Sequence, residues 1–301
     1  MNIDNISSAS LIEFKGTPCL QIENQTASAL ISLFGGHLIS YVPKNVNAEL
    51  IWLSDKAIFN QEKALRGGTP ICWPWFADLG KGENLPAHGF VRTQMWQISD
   101  ISESADANNI QSTTVELTPN TLGLFNVPQS LSLKLSITIA KQCELSLETT
   151  NNSDEDVEIT QALHTYFKVS DISQTSIAGI TTDYYDKVTN THNNKLSLPY
   201  HIEGETDRIH PREASTNEQI ITLSGIDGFK IDIAQSGHDS VIVWNPGAEK
   251  STTMADMEDL GYQTMLCIEA GNTQSTTIAP KTSFTLKQRF SAKKEYNYGD
   301  L

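Results

Sequence analysis

Basic residues are scarce in this sequence. It contains 21 Lys and Arg residues against 36 Asp and Glu residues, and the difference (36 − 21) gives a formal net charge of −15 at pH 7. Nucleic acids and anionic membrane surfaces attract proteins mainly through clustered basic side chains. The composition therefore argues against both kinds of partner. A small anionic ligand is still compatible with it, provided that a few cationic side chains form a local pocket.

Long apolar runs are also missing. No stretch approaches the roughly 20 apolar residues of a transmembrane helix. The longest apolar islands, such as residues 241–244, have the length of buried strands. The sequence MNIDNISSAS at residues 1–10 has neither the basic region nor the apolar region of a signal peptide. We therefore expect a cytoplasmic protein that does not bind a membrane.

Cysteine is rare, and its four residues lie far apart in the sequence, at Cys19, Cys72, Cys143 and Cys267. They form no C-x-x-C pair and no spacing typical of zinc ligands, so we expect no metal site. An even number would permit two disulfides, but nothing else in the sequence suggests secretion. We expect reduced thiols that lie mostly in the hydrophobic core.

The sequence does contain apolar residues that recur with a period of two. Leu131, Leu133, Leu135 and Ile137 alternate with polar residues, which is typical of a half-buried strand. A hairpin is predicted around Gly35-Gly36. Helical patterns are few, and short helices are predicted only at residues 55–65 and 249–260. Further strands are predicted at residues 29–34, 38–42, 143–147, 157–159, 229–234, 240–244, 265–269 and 284–290.

These patterns predict an all-β fold, an antiparallel sandwich or barrel with few short helices, rather than parallel βαβ units. All-β folds of this length commonly form one domain, and no linker or repeat divides the chain. We therefore expect a single domain over residues 1–301. The hydrophobic content of 39% is too high for a disordered chain, and a chain of 301 residues can bury a substantial core.

Residues 65–92, with the sequence LRGGTPICWPWFADLGKGENLPAHGFVR, have no clear period and are rich in Gly, Pro and aromatic residues. Long irregular segments in compact domains are often functional. This one carries Arg66 and Arg92, two of the five arginines, whose planar side chains suit a phosphate or a carboxylate. Trp73 and Trp75 would stack on a sugar ring. The alternative is that both arginines form surface ion pairs.

Two strand-like segments carry further candidates. If Ile159 faces the core, His164 and Tyr166 face the opposite side, together with other polar residues. Glu269 ends an apolar strand and is costly to bury without a partner, as is common for carboxylates that act as bases. The alternatives are a structural histidine and a structural ion pair. Asp207, within residues 205–208, is a weaker candidate in a polar loop.

Eight short segments occur in an order typical of one known family. They are RGGTPICWPWF (66–76), AHGFVR (87–92), ALHTYF (162–167), GITTDYYDK (179–187), ETDR (205–208), VWNP (243–246), MADM (254–257) and CIEAGN (267–272). In this order they resemble the hexose-6-phosphate mutarotases, or glucose-6-phosphate 1-epimerases, a branch of the aldose 1-epimerase superfamily. Ala87, where some relatives have Gln, and Gly247, where a bulky aromatic residue is common, depart from the pattern.

The resemblance implies a galactose mutarotase-like β-supersandwich that interconverts the α and β anomers of a hexose 6-phosphate, above all glucose 6-phosphate. It places the catalytic acid–base pair on His164 and Glu269. The sugar and phosphate sites would include Arg66, His88, Arg92 and Asp207, and Trp73 and Trp75 would line the pocket. No metal or organic cofactor is required. The only partner expected is the phosphosugar substrate, and the protein is expected to be a monomer.

Three other functions stay open at this point. An aldose 1-epimerase for unphosphorylated sugars would use the same acid–base pair, and Arg66 and Arg92 would then be structural. A non-catalytic carbohydrate-binding sandwich would bind sugars without changing the rate of anomer exchange. A sandwich that only binds other proteins would do neither.

Overall fold

A computed structural model describes residues 6–78, 85–107, 109–125, 127–213 and 217–295. Nearly all regular structure within these residues is β-strand. The strands are β1 Ala9–Phe14, β2 Thr17–Glu23, β3 Ala27–Ser32, β4 His37–Pro43, β5 Ile71–Cys72, β6 Trp96–Ala105, β7 Gln111–Pro119, β8 Leu131–Ile139, β9 Cys143–Asn151, β10 Val157–Leu163, β11 Tyr166–Lys168, β12 Ser176–Ala178, β13 Tyr184–Asp186, β14 Thr191–Asn194, β15 Thr206–Pro211, β16 Glu218–Ile226, β17 Phe229–Ser236, β18 Ser240–Asn245, β19 Met265–Ile278 and β20 Ser283–Lys294. The helix α1 spans Gly247–Thr253, and 3-10 helices span Val91–Thr93 and Gly261–Thr264.

The strands form three sheets, and neighbouring strands within each sheet are antiparallel. Sheet I has the order β1-β2-β3-β4. Sheet II has the order β14-β13-β15-β18-β19-β10-β5, and β11 also pairs with β19. Sheet III has the order β12-β16-β17-β20-β9-β8-β7-β6. The predicted all-β antiparallel fold is therefore confirmed.

The main hydrophobic core lies between sheets II and III and also includes residues of sheet I, such as Leu20 and Ile31. Alternate residues of β8, such as Leu133 and Leu135, share it with Leu163 and Ile268 of sheet II. The rings of Phe167 and Phe290 meet edge to face across the two sheets, with centroids 5.2 Å apart. Each fully buried side chain of this kind contributes about 1.5–3 kcal/mol, so this interface is the main source of stability.

The opposite face of sheet II carries a different set of side chains. Residues that alternate with the core positions on β10, β11, β18 and β19 point away from sheet III, and together with residues of neighbouring segments they form two smaller clusters. One contains Cys72, Phe76, Ala162 and Ile242, and the other contains Trp52, Tyr166, Trp244, Met257, Met265 and Cys267. This face carries the candidate site described below.

Most of the local predictions are confirmed. The predicted strands and the hairpin of β3 and β4 are present. All four cysteines are free and buried, as expected for reduced core residues. Within the described ranges, the structure contains no helix that has both the length and the apolar character needed to cross a bilayer.

Both helix predictions need correction. Residues 55–65 form turns rather than a helix, because the Ser54 hydroxyl and the Asp55 amide donate to the Glu258 carboxylate of another segment. The second helix, α1, ends at Thr253 instead of reaching residue 260. There the Ser251 hydroxyl donates to the carbonyl of Asp259 at 2.8 Å, which folds the chain back over the helix end.

Three buried histidines make the fold sensitive to acid. Burial lowers the pKa values of His37, His210 and His238 from 6.5 to about 4. Above pH 6.5 the folded and unfolded chains are both neutral at these positions. Below pH 6.5, these histidines bind protons in the unfolded chain but not in the folded chain. The free energy of unfolding therefore falls as the pH drops from 6.5 towards 4.

We predict that urea unfolding at pH 5 gives a lower stability than at pH 7, by about 2 kcal/mol for each of these histidines. His210→Gln removes one titrating group, so the free energy of unfolding of this variant should fall by about 2 kcal/mol less between pH 7 and pH 5 than that of the wild type. The exposed His192 provides the control variant His192→Gln, which should behave as the wild type. An equal loss of stability between pH 7 and pH 5 in the wild type and in His210→Gln would contradict the lowered pKa of His210.

Candidate active site

His164 lies in the short connection between β10 and β11, opposite Glu269 of β19. Leu163 pairs with Ala270, and Tyr166 pairs with Cys267, so the ladder resumes on each side of the connection. The His164 amide donates to the carbonyl of Pro70 at 3.1 Å. This register leaves the imidazole Nε2 of His164 at 3.3 Å from Oε1 of Glu269.

The pair is buried. The side chains of His164 and Glu269 are 12% and 1% exposed. Nδ1 of His164 and Oε2 of Glu269 are buried and have no hydrogen-bond partner among the residues that the structure describes. Each side chain therefore keeps a polar atom that can accept or donate a further hydrogen bond.

Aromatic rings fix the His164 imidazole on three sides. It stacks on Tyr166 with centroids 5.0 Å apart and planes at 13°. It meets His88 and Trp244 edge to face, at centroid distances of 5.6 Å and 6.1 Å. Such contacts restrict rotation of the ring, so Nε2 stays directed at Glu269.

His88 is held in a tight turn. Its Nδ1 accepts a hydrogen bond from the amide of Ala77 at 3.3 Å, so the neutral ring carries its proton on Nε2. Burial, together with the charge of Arg92, lowers its pKa to about 3. The next residue, Gly89, has φ of +72°, and a Cβ there would lie 1.9 Å from the Trp73 carbonyl oxygen. Only glycine fits this close approach.

Arg66 and Arg92 both lie beside the His164–Glu269 pair and its aromatic neighbours, but they differ in their hydrogen-bond partners. Arg66 donates from Nε to Asp256 at 3.2 Å and from Nη1 to the Tyr166 hydroxyl at 3.1 Å. Arg92 donates from Nη2 to the Ala87 carbonyl at 2.8 Å. Over the described part of the chain, no carboxylate forms an ion pair with Arg92. With respect to these residues, the guanidinium of Arg92 is available to an anionic ligand.

Asp207 lies on the same face of sheet II. On β15 it pairs with Trp244 of β18, which in turn pairs with Cys267 of β19. Its Oδ2 lies 3.0 Å from Nζ of Lys187. Burial raises the pKa of Asp207, whereas Lys187 lowers it.

The charges around the pair favour its neutral form. Burial, followed by the negative charge of Asp207, raises the pKa of Glu269 well above its usual value. Burial is the largest cause that lowers the pKa of His164, and the positive charges of Arg92 and Arg66 lower it further. One proton shared across 3.3 Å can convert the neutral pair into carboxylate and imidazolium without any exchange with solvent. The arrangement is therefore suited to general acid–base chemistry.

One group among the described residues has donors close enough for a metal ion. The ligand atoms of His164, Cys267 and Glu269 lie within 4.8 Å of one another, and nitrogen, sulfur and oxygen are ligands that Zn²⁺ accepts. Burial raises the pKa values of Cys267 and Glu269 and so favours their protonated forms. Protonated thiols and carboxyls are not ligands, so the group is better suited to proton transfer.

The prediction that Trp73 lines the pocket is wrong. Its side chain is fully buried in the main core, and its Nε1 donates to Thr149 of sheet III at 3.0 Å, so the indole points away from His164. Trp75 packs against Phe90 and Phe125 instead. The aromatic walls of the cluster are Phe76, Tyr166 and Trp244.

The structure brings together the other six predicted residues, which are Arg66, His88, Arg92, His164, Asp207 and Glu269. It also adds Lys187, which the sequence analysis did not single out. Its only sequence signal was its place in the GITTDYYDK segment, because the β13–β15 pairing that brings it to Asp207 is not visible in the sequence.

The structure shows what surrounds Ala87 and Gly247, the two positions that depart from the family pattern. Ala87 contributes its backbone carbonyl to Arg92, which any residue could do. Gly247 has φ of +66°, and a Cβ there would lie 2.6 Å from the amide nitrogen of Glu205. A larger residue at position 247 would require that neighbouring loop to move.

Comparison with known proteins now gives the family. The sequence model of the aldose 1-epimerase family matches residues 18–291. This chain belongs to that family. It is 34% identical over 262 residues to an Escherichia coli protein named "Putative glucose-6-phosphate 1-epimerase", covering 85% of this chain and 84% of that protein. A Salmonella typhimurium protein of the same name is 33% identical over 250 residues, covering 82% and 81%.

Solved structures agree with this family assignment. The crystal structure of a "putative mutarotase (YeaD)" from Salmonella typhimurium superimposes with a TM-score of 0.85 at 27% identity, covering 97% of this chain and 95% of that chain. A galactose mutarotase-like protein from Clostridium acetobutylicum gives 0.72 at 14% identity, covering 95% and 98%. The second match shows the fold alone, and it confirms the predicted galactose mutarotase-like architecture.

We predict that Trp73→Phe lowers the free energy of unfolding by about 1–3 kcal/mol, because it leaves a cavity and removes the bond to Thr149. Urea unfolding measures the change. Trp75→Phe is the matched control, and it should cost less because Trp75 is only partly buried. Unchanged stability of Trp73→Phe would show that the ring does not support the core.

Proposed function

We propose that this enzyme interconverts the α and β anomers of a hexose 6-phosphate, above all glucose 6-phosphate. The observation that carries the proposal is the buried His164–Glu269 pair, 3.3 Å apart, together with the guanidinium of Arg92, which has no ion-pair partner among the described residues. The names of the Escherichia coli and Salmonella relatives support the same substrate. No cofactor is needed, because mutarotation involves neither a redox step nor a group donor.

The proposed reaction opens and closes the sugar ring. Glu269, as carboxylate, takes the proton of the C1 hydroxyl, the C1–O5 bond breaks, and His164, as imidazolium, gives a proton to O5. Rotation about C1–C2 exposes the other face of the aldehyde, and closure reverses both transfers. Each positioned transfer contributes roughly 10²–10⁴-fold. Opening leaves both side chains neutral, which is the form that burial favours.

The phosphate has two effects in this proposal. Bound by Arg92 and Arg66, it anchors the sugar so that C1 and O5 lie against the pair. It also offsets the positive charges that lower the pKa of His164, which favours the imidazolium needed at O5. Arg66 already donates to Asp256 and Tyr166, so Arg92 is the more available of the two arginines for the phosphate.

The remaining residues would bind the sugar itself. Asp207 would accept hydrogen bonds from sugar hydroxyls, and the Nε2 proton of His88 would be donated to a ring or hydroxyl oxygen. Phe76 and Trp244 would form the apolar walls. We further propose that residues 1–301 act as one domain, as a monomer, in the cytoplasm, without a nucleic-acid or membrane partner. The reduced state of the four buried cysteines supports that compartment.

We predict that His164→Ala and Glu269→Gln each lower kcat for anomer exchange by at least about 10²-fold, because each removes one positioned proton transfer. NMR exchange spectroscopy between the two anomers of glucose 6-phosphate measures the rate. His192→Ala, which changes an exposed histidine, is the control and should keep full activity. A folded His164 or Glu269 variant with wild-type kcat would rule out the assigned pair.

Arg92→Ala tests the substrate. Because it removes a charge-assisted phosphate contact, we predict that kcat/KM for glucose 6-phosphate falls by about 10–100-fold, with a much smaller effect on glucose. Arg289→Ala is the matched control, since Arg289 pairs with Glu218 on sheet III at 3.0 Å. An equal loss on both sugars would favour the epimerase of unphosphorylated sugars, and saturable binding without faster exchange would favour the non-catalytic sandwich.

A further inference from the structure

Lys187 is attached to β15 by two contacts. It directly follows β13, and its amide donates to the carbonyl of Asp207 at 2.8 Å. Its Nζ lies 3.0 Å from Oδ2 of the same residue, and the two side chains are 30% and 18% exposed. The backbone hydrogen bond fixes the position of the Lys187 main chain, and the ion pair fixes the position of its ammonium group.

The ammonium group faces the cluster that contains the acid–base pair. Nζ lies 6.0 Å from the centroid of the Phe76 ring, and that ring packs against His88 at 5.0 Å. His88 in turn meets His164 at 5.6 Å. Asp207 reaches the same cluster along the sheet through its strand partner Trp244. The ion pair is therefore linked to the acid–base pair through the rings of Phe76, His88 and Trp244, and it is more buried than the ion pairs of the surface.

The two members of this ion pair act in opposite directions on Glu269. The charge of Asp207 raises the pKa of Glu269, and the charge of Lys187 lowers it. Lys187 also lowers the pKa of Asp207, which burial raises. Without the lysine, an anionic Asp207 would oppose ionisation of Glu269, and a protonated Asp207 would lose acceptor capacity for sugar hydroxyls.

We propose that Lys187 is a positioning residue of the reaction. Through its ion pair it keeps Asp207 ionised and directed at the sugar, and it offsets the negative charge of Asp207 beside Glu269. Glu269 can then ionise and accept the proton of the C1 hydroxyl. This inference rests on the proposed function and deepens it, since it names the residue that allows a buried carboxyl to act as a base.

A direct role in phosphate binding is the competing explanation, because an ammonium group also suits a phosphate. The two roles differ in their dependence on the substrate. A residue that acts through Asp207 and Glu269 affects glucose and glucose 6-phosphate alike. A phosphate ligand affects only the phosphorylated sugar.

The kinetic test compares Lys187→Met, Lys187→Arg and the control Lys195→Met, which removes an exposed lysine paired with Asp183 near the same sheet edge. Anomer exchange of both sugars is followed from pH 5 to pH 9. We predict that Lys187→Met lowers kcat/KM by about tenfold or more on both sugars. It should also move the acid limb of the pH profile of kcat/KM to higher pH, by on the order of one pH unit. Glucose gives the cleaner limb, because it carries no titrating phosphate.

Lys187→Arg should restore most of the activity and the wild-type limb, since it keeps the charge, and Lys195→Met should change neither. A loss confined to glucose 6-phosphate would overturn the proposal in favour of phosphate binding. An equal loss on both sugars with an unmoved limb would also overturn it, since a purely structural effect would produce that result.

A measurement without turnover separates this inference from the proposed function. The carboxyl carbons of ¹³C-labelled glutamate are titrated by NMR, and the Glu269 signal is assigned by its loss in Glu269→Gln. In Lys187→Met the Glu269 pKa should rise relative to wild type. An unchanged titration overturns the inference whatever the kinetics. A raised pKa in a protein that exchanges neither sugar would instead refute the proposed function and retain the electrostatic coupling.

Discussion

The candidate site depends above all on the antiparallel pairing of β19 with β10 and β11. That ladder is interrupted for two residues, and the interruption places His164 against Glu269 inside the protein. Because backbone hydrogen bonds continue on both sides, the paired strands hold this two-residue connection, and with it His164, in place. Burial follows from the same arrangement, and burial is the largest cause of the altered pKa values of both residues.

Charge is distributed asymmetrically around this pair. The positive charges of Arg66 and Arg92 act on the imidazole of His164, whereas the negative charge of Asp207 acts on the carboxyl of Glu269. An overall charge of −15 therefore coexists with a locally cationic pocket. Screening limits the repulsion from distant acids to roughly 8 Å at physiological salt, so a single phosphate is affected mainly by the nearest arginines.

Much of the fold could be predicted because period-two alternation is a local property, as on β8 and β9. Glu269 could be singled out because a carboxylate on an apolar strand is costly unless it has a partner, and His164 because it alternates with the core-facing residues of its strand. Lys187 could not, because its role depends on a pairing between distant strands. Trp73 was misassigned because the sequence shows that an indole is buried but not which face of the sheet buries it. The predicted helix at 55–65 failed because tertiary hydrogen bonds to Glu258 replaced local ones.

The turn at His88 and Gly89 has a consequence for how this protein can evolve. Gly89 lies against the backbone of Trp73, a core residue, while its neighbour His88 touches the imidazole of His164. Substitutions at position 89 must therefore disturb packing and chemistry at once. Screens for more stable variants and screens for altered sugar preference should both find this turn closed to change. Diversity is more accessible at position 87, which lies beside the site and contributes only its backbone carbonyl to Arg92.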